Sequence, residues 1–543
     1  MKGTFDYIVV GAGSAGCVLA NRLTATGRHR VLLIEAGGED RNPWIHVPIG
    51  FARLLTDARY NWLYNSEPEP ELHGRSIIQP RGKVMGGSSS INGLLYIRGQ
   101  AQDFDCWRQL GNAGWGFTDV LPYFRRAEDQ GRGESELHGV GGPLAVSDVA
   151  EPHALCEAFI AACGQAGIPR IDDFNGPAQE GAGYFQLTTR KGRRWSTARG
   201  YLAPARRRGN LAVVSHALAT RIVFEGRRAA GVEYRKDGVT HTARANGEVI
   251  LSSGAFNSPQ LLQLSGVGPA NLLQQHGIKV IADMKGVGAD LQDHYEARFY
   301  YHCSERITMN DIMGSMRGRI AAGLRYALFR KGFFAIGAGY AGAFAKTDPK
   351  MATPDVQFHF ILSSADAVGT KLHPWPGFLA TICQLRPQSR GYVRIKSTDP
   401  DQPPAIQPRY MTAQADRDCM VAGMKLLRRV MRRPALTRYI VEELAPGANV
   451  ESDADYLELA RQKGSTVFHP TSTCRMGPDV TAVVDERLRV HGFQGLRVAD
   501  ASIMPTIVSG NTNAACVMIG EKASDMILQD ANAGTTAAAA AAA

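Results

Sequence analysis

Three glycines and one acid near the N-terminus carry the first legible chemistry. Gly11, Gly13 and Gly16 stand in the spacing Gly-x-Gly-x-x-Gly, with Ala12, Ser14 and Ala15 between them. Gly11 permits a tight turn, Gly13 lets a pyrophosphate approach the backbone, and Gly16 lets a helix close on a strand. Glu35 follows about 20 residues later, where an acid can hold a ribose hydroxyl pair. The pattern predicts a dinucleotide site built from Gly11, Gly13, Ser14, Ala15, Gly16, Glu35 and Ala36. A second segment, Arg81 to Gly93, holds four glycines and three serines, so its N–H groups have little steric cover for a planar or anionic ligand. Gly86, Ser89, Asn92 and Gly93 are the binding candidates there. A third, Gly254 to Gly268, reads as a loop, a helix and a glycine stop.

These residues need elements to place them. Phe5 to Val10 reads as a buried strand, Cys17 to Leu23 as the helix that follows the glycine turn, and Val31 to Ile34 as the next strand. The helix N-terminus then offers free N–H groups and its positive dipole end to phosphate. Gly37 to Arg81 is proline-bearing and loop-rich, the texture of a cofactor cover. Leu211–Val214, Ala219–Phe224 and Ala230–Tyr234 read as a hairpin or meander, and Glu248–Ser252 as a further buried strand. Alternation at Asp355–Phe360 and Gly391–Lys396 predicts an antiparallel sheet, and Asp416–Met431 an amphipathic helix. Gly495–Asp500 resembles a strand returning to the first domain. The fold class expected is α/β: a Rossmann-type nucleotide domain mainly over 1–307, a second antiparallel domain mainly over 308–464, and a return to the first over 465–531. Residues 532–543, ending in seven alanines, are low complexity and form no part of the expected fold.

At 543 residues the chain is too long for one core. With 44% hydrophobic and 21% charged residues it reads as an ordinary soluble protein. No apolar run approaches the roughly 18 residues of a membrane span, and no signal peptide is visible. Nine scattered cysteines without a CxxC pair suit a reducing compartment and speak against a disulfide frame or a metal site. The location expected is cytoplasmic, with peripheral attachment to the inner membrane as the alternative. The net charge of +10 reads first as surface solubility; contact with an anionic membrane is the sharper reading. Nucleic acid is discounted, because the basic clusters lack interleaved aromatics.

The three glycine segments, in this order, resemble signatures of the glucose–methanol–choline family of flavoprotein oxidoreductases, and the resemblance covers Phe5 to about Leu528. Met85, where a branched aliphatic is usual, is a small departure. The resemblance implies FAD and a catalytic pair near the C-terminus. His469, within Val467 to Gly477, matches the family's catalytic histidine. The second member falls in Gly510 to Ala514, where this chain carries Asn; Asn511 is the alignment taken, with Asn513 the alternative. Asp500 resembles the family's flavin-contacting acid, with a helix N-cap as the plainer reading; Ala501 and Thr512 join it as cofactor candidates beside Asn511. Where some members attach FAD through a histidine, this chain has Ile91, so the flavin is expected to be noncovalent. The remaining histidines, among them His46, His294, His359 and His373, read as structural or cavity residues with no metal role.

Histidine accepts a proton near neutral pH, and asparagine can hydrogen-bond a substrate oxygen without competing for that proton. The function expected is oxidation of a primary alcohol to an aldehyde, with electrons passed to a quinone or other non-oxygen acceptor. Choline is the runner-up substrate, and would call for an aromatic cage or a carboxylate. The same residues are also compatible with an oxidase using oxygen, with a lyase or photodecarboxylase on the same scaffold and, more remotely, with a flavin-free binding protein.

Overall fold

The computed structural model describes residues 4–366 and 369–542, with side chains described through Ala533. The first sheet holds β1 (Thr4–Val10), β2 (Val31–Ile34), β3 (Leu211–Val214), β4 (Ala217–Glu225), β5 (Arg228–Lys236) and β6 (Val239–Leu251), in the spatial order β3-β2-β1-β6-β5-β4. β3, β2, β1 and the second half of β6 run parallel, whereas β4, β5 and the first half of β6 form an antiparallel meander. The short strand Leu496–Val498 completes the sheet, parallel to the end of β6. The central strands are buried on both faces, which is why β2 reads as an unbroken Val-Leu-Leu-Ile rather than an alternation. Leu211–Val214 does not belong to the expected meander. It crosses to the far edge and pairs with β2.

α1 (Ser14–Leu23) leaves the glycine turn after β1, and α2 (Gly254–Leu264) leaves the corresponding end of β6. Both turns depend on glycine geometry. Gly11 has φ +98°, and a Cβ on Gly16 would lie 1.9 Å from the Gly11 carbonyl oxygen. Helix and strand therefore meet backbone to backbone.

The second sheet holds β7 (Tyr295–Cys303), β8 (Ala341–Ala345), β9 (Val356–Ile361), β10 (Gly377–Gln384) and β11 (Ile440–Ala445), in the order β11-β7-β10-β9-β8, antiparallel throughout. Gly181–Tyr184 extends it beyond β8, so this sheet recruits strands from outside 308–464. Tyr392–Arg394 pairs antiparallel as expected, but with Ala405–Gln407 in a separate two-stranded ladder, and the Gln263 side chain of α2 binds the Val393 carbonyl and the Ile395 N–H. α3 (Met316–Phe329) lies on the outside with only Ala322 and Tyr326 buried, and α4 (Gln414–Met431) packs its apolar face on the second sheet. α5 (Asn513–Ala542) returns to α1, where Gly520 lets the two helices approach. It runs on through the alanine stretch, alanine being the strongest helix former; Ala543 lies outside the described residues.

Candidate active site

A cavity of about 700 Å³ runs from the carboxyl ends of β1, β2 and β6 to the face of the second sheet. Open α/β sheets bind their ligands at this edge. Gly11, Gly13, Ser14, Ala15, Glu35 and Ala36 line one end; Asn92, Gly93, Asp500 and Ala501 lie along the wall; His469, Asn511 and Thr512 line the other part. Three of the residues expected on the wall lie behind it. Gly16 is spent on the contact with Gly11, the Gly86 N–H donates to the Ala12 carbonyl at 2.7 Å, and Ser89 turns inward to Thr197 Oγ1 at 2.9 Å. Gly87 and Ser88 take their place on the wall. A Cβ on Gly87 would lie 2.7 Å from Gly13 Cα, so the second glycine segment sits directly on the first.

Glu35 accepts from the N–H groups of Ala12 and Gly37, both at 2.8 Å, and so clamps the glycine turn from the end of β2. Burial pushes its carboxyl up to about 7, against the pull of those two N–H groups. Asp500 accepts from the Ser502 N–H as an N-cap, the plainer reading, and also from the Gly254 N–H and the Ser258 hydroxyl at the start of α2. Asn513 faces the Ser14 hydroxyl at 2.7 Å, so of the two candidate asparagines only Asn511 meets His469.

His469 Nε2 lies 3.1 Å from Asn511 Nδ2, and His469 Nδ1 lies 3.0 Å from His294 Nδ1. His294 Nε2 in turn lies 3.0 Å from the Leu385 carbonyl oxygen. A carbonyl only accepts, which fixes every proton in the row. His294 carries its proton on Nε2 and accepts at Nδ1; His469 donates from Nδ1 and keeps a bare Nε2. Asn511 must then present its amide N–H to His469, and its Oδ1 accepts from Gln357 Nε2 at 3.3 Å. Burial first, and then His294, His359 and Arg81, hold the His469 imidazolium well below the ordinary histidine range. Burial also brings His294 and His359 down to about 4.

Asp293 holds this row from behind. Its Oδ1 accepts from the N–H groups of His469 (2.7 Å) and His294 (2.9 Å), and its Oδ2 from the hydroxyls of Thr466 and Tyr410, both at 2.5 Å. Phe468, in the left-handed region at φ +69°, turns the chain so that His469 faces the cavity. Arg81 Nη2 donates to the Phe468 carbonyl at 2.5 Å. Sequence reasoning missed Asp293, Gln357 and the partnership of His294, because each meets the motif only through the tertiary fold. It also missed Glu296 and Arg298, which line the cavity on β7. Their i, i+2 spacing in an otherwise apolar stretch is the strand signal that could have found them.

A parallel sheet with a glycine-cradled crevice, closed by a second sheet that brings a histidine–asparagine pair to the same cavity, defines a dinucleotide-dependent oxidoreductase. The GMC oxidoreductase family models match residues 5–296 and 387–520, and the chain belongs to that family. It is 41% identical to an alcohol dehydrogenase (acceptor) of Pseudomonas putida, over 97% of this chain and 96% of that one. It is 45% identical to an oxygen-dependent choline dehydrogenase of Pseudomonas aeruginosa (strain UCBPP-PA14), over 97% and 95%. Among solved structures, a variant of Aspergillus oryzae RIB40 formate oxidase described for its FAD modification superposes with a TM-score of 0.91 at 26% identity, covering 97% of this chain and 99% of that one. The cofactor is FAD. The cavity fits it: a Cβ on Gly13 would meet only the Ser252 carbonyl, at 3.7 Å, which leaves that face open to phosphate. Among the described residues no helix is long and apolar enough to cross a membrane.

Proposed function

We propose that this enzyme oxidises an uncharged primary alcohol to the aldehyde and passes the electrons to a quinone or another non-oxygen acceptor. The observation that carries the chemistry is the bare Nε2 of His469 beside the Asn511 amide. An alcohol hydroxyl that displaces the hydrogen bond between them would donate its proton to His469 Nε2 while its oxygen accepts from Asn511 Nδ2–H. FAD, when bound, supplies the hydride acceptor. As His469 Nε2 takes the proton, its Nδ1 proton can move to His294 Nδ1, so two rings share the charge while His294 Nε2–H stays on Leu385. Gln357 keeps the Asn511 amide from turning over.

Gly11, Gly13, Ser14 and Ala15 would take the pyrophosphate, Glu35 and Ala36 the adenosine end, and Asn92, Gly93, Asp500, Ala501 and Thr512 the flavin side. Ile91 is buried on the cavity wall and offers no atom for attachment. The flavin is therefore held without a covalent bond. Acid precipitation is expected to release all yellow colour into the supernatant; colour retained in the pellet would refute this.

An uncharged substrate is favoured over choline by the electrostatics of the wall. Three carboxylates line the cavity, Glu35, Asp500 and Glu296. The first two are committed to the donors described above. Glu296 Oε1 accepts from Arg298 Nε at 2.7 Å and forms an ion pair with Arg298 Nη2 at 2.7 Å, with the two side chains 8% and 10% exposed. Arg81 reaches the same cavity. A trimethylammonium group would find no unpaired carboxylate and the guanidinium groups of Arg53, Arg81 and Arg298, while Met309, Met313, Ile361 and Leu379 offer an apolar body room. Anaerobic mixing with an alcohol panel tests the reading through flavin bleaching. Straight-chain alcohols are expected to bleach the flavin at lower concentration than choline, and Arg298→Met should shift the preference toward choline. Choline as the better wild-type substrate would overturn it. The acceptor half rests on the resemblance to the Pseudomonas putida enzyme and on the basic charge of the chain. Turnover with oxygen as fast as with a quinone analogue would overturn that half alone.

A further inference from the structure

The solvent face of α3 is apolar. Met316, Ile320, Leu324 and Leu328 follow one another at intervals of four residues, and Phe329 closes the helix. All five are between 55% and 71% exposed, and they are five of the fourteen large hydrophobics exposed among the described residues. A folded chain normally scatters such residues singly, so this clustering marks a surface that meets something. Each step of four residues advances about 40° around a helix. The four side chains thus form a stripe roughly 120° wide, opposite the buried Ala322 and Tyr326. Packing on the protein core accounts for the inner face only.

The stripe is set in positive charge. Between Met316 and Gly332 there are five basic residues and no acid. Arg325 is bound by Glu151 at 2.6 Å, whereas Arg317, Arg319 and Lys331 stand exposed at the two ends of the stripe. Tyr326 donates to the Gly192 carbonyl at 2.9 Å, which brings the exposed Lys191 and Arg193 beside the same helix. A second copy of the chain docking face to face would oppose these cations to their own kind. An apolar stripe with arginine and lysine on its borders fits the plane between acyl chains and anionic headgroups, where long basic side chains reach outward while leucines sink.

We infer that α3 is a membrane-docking helix that lies in the surface of an anionic bilayer. The inference is independent of the reaction proposed above, because it is read by where the protein goes and not by turnover. Purified holoenzyme is mixed with vesicles of equal parts phosphatidylcholine and phosphatidylglycerol, or of phosphatidylcholine alone, and floated on a density gradient. The wild type is expected to float with the anionic vesicles and to do so less as salt is raised. Ile320→Ser, Leu324→Ser and Leu328→Ser, combined, should lower the partition coefficient at least about tenfold for each side chain removed and leave alcohol turnover with a dye unchanged. Arg317→Gln with Arg319→Gln should weaken binding to anionic vesicles only. Wild-type protein that stays at the bottom with both vesicle types, or a triple serine variant that floats as well as wild type, would overturn the inference. So would a wild-type dimer that the serine variant splits, since the stripe would then be covered by a second copy.

Discussion

His469→Ala is expected to slow reduction of the bound flavin by alcohol ~10²–10⁴-fold, the usual worth of a general base, with the flavin spectrum and the fold intact. The loss falls on the chemical step because His469 touches no glycine of the cofactor cradle. Its ring bonds His294 and Asn511, while its backbone N–H, which the substitution keeps, donates to Asp293. Asn511→Ala removes one donor to the substrate oxygen and should cost less, about 0.5–1.5 kcal/mol. Stopped-flow reduction at saturating alcohol measures both. A His469→Ala enzyme that reduces its flavin at the wild-type rate would make the motif structural.

The pH dependence follows from the depressed imidazole. The competent form of His469 is neutral, and a lowered pKa extends that form toward acid. The acid limb of the reduction rate should therefore lie well below the ordinary histidine value of 6.5, and should vanish in His469→Ala. A limb at 6.5 or above would show that the buried row does not depress the imidazole.

The cofactor end was legible in the sequence because its constraints are local. A turn at φ +98° with a helix closing on it leaves glycine little competition at Gly11 and Gly16, and both residues announce the turn without any knowledge of the fold. Gly86 and Ser89 belong to the segment that lines the cavity but lie behind its wall, because a glycine-rich stretch does not say which of its N–H groups face the cavity and which brace the turn. The catalytic end was legible only through resemblance. Nothing in Phe468-His469-Pro470 names Asp293 or His294, which stand 176 and 175 residues away and arrive at the start of β7. The antiparallel alternation of β9 was readable. The separate ladder of Tyr392–Arg394 was not, because the partners that hold it, Gln263, Gly288 and Leu291, are distant in the chain.

Asp293→Asn is expected to be the second most damaging change. The carboxylate takes four hydrogen bonds, two on each oxygen, from two backbone N–H groups whose direction is set by the chain and from two hydroxyls. An asparagine matches it in shape but can accept on one oxygen only. Whichever way the amide turns, its NH₂ faces either the backbone N–H groups of His294 and His469 or the hydroxyls of Thr466 and Tyr410. The hydroxyls can rotate and become acceptors; the backbone N–H groups cannot. The amide should therefore keep its oxygen toward the histidines, and the strain should fall on Thr466, whose hydroxyl also accepts the Phe468 N–H at 2.7 Å. The turn that aims His469 then loosens, and a misplacement of about 1 Å near the reacting atoms can cost ~10²-fold. Flavin reduction in Asp293→Asn should fall by about that factor with FAD still bound. Asp293→Ala, which strands all four donors, should also lower the melting temperature. An Asp293→Asn enzyme that reduces its flavin at the wild-type rate would show that His469 is aimed by its neighbours in the cavity and not by the carboxylate behind it.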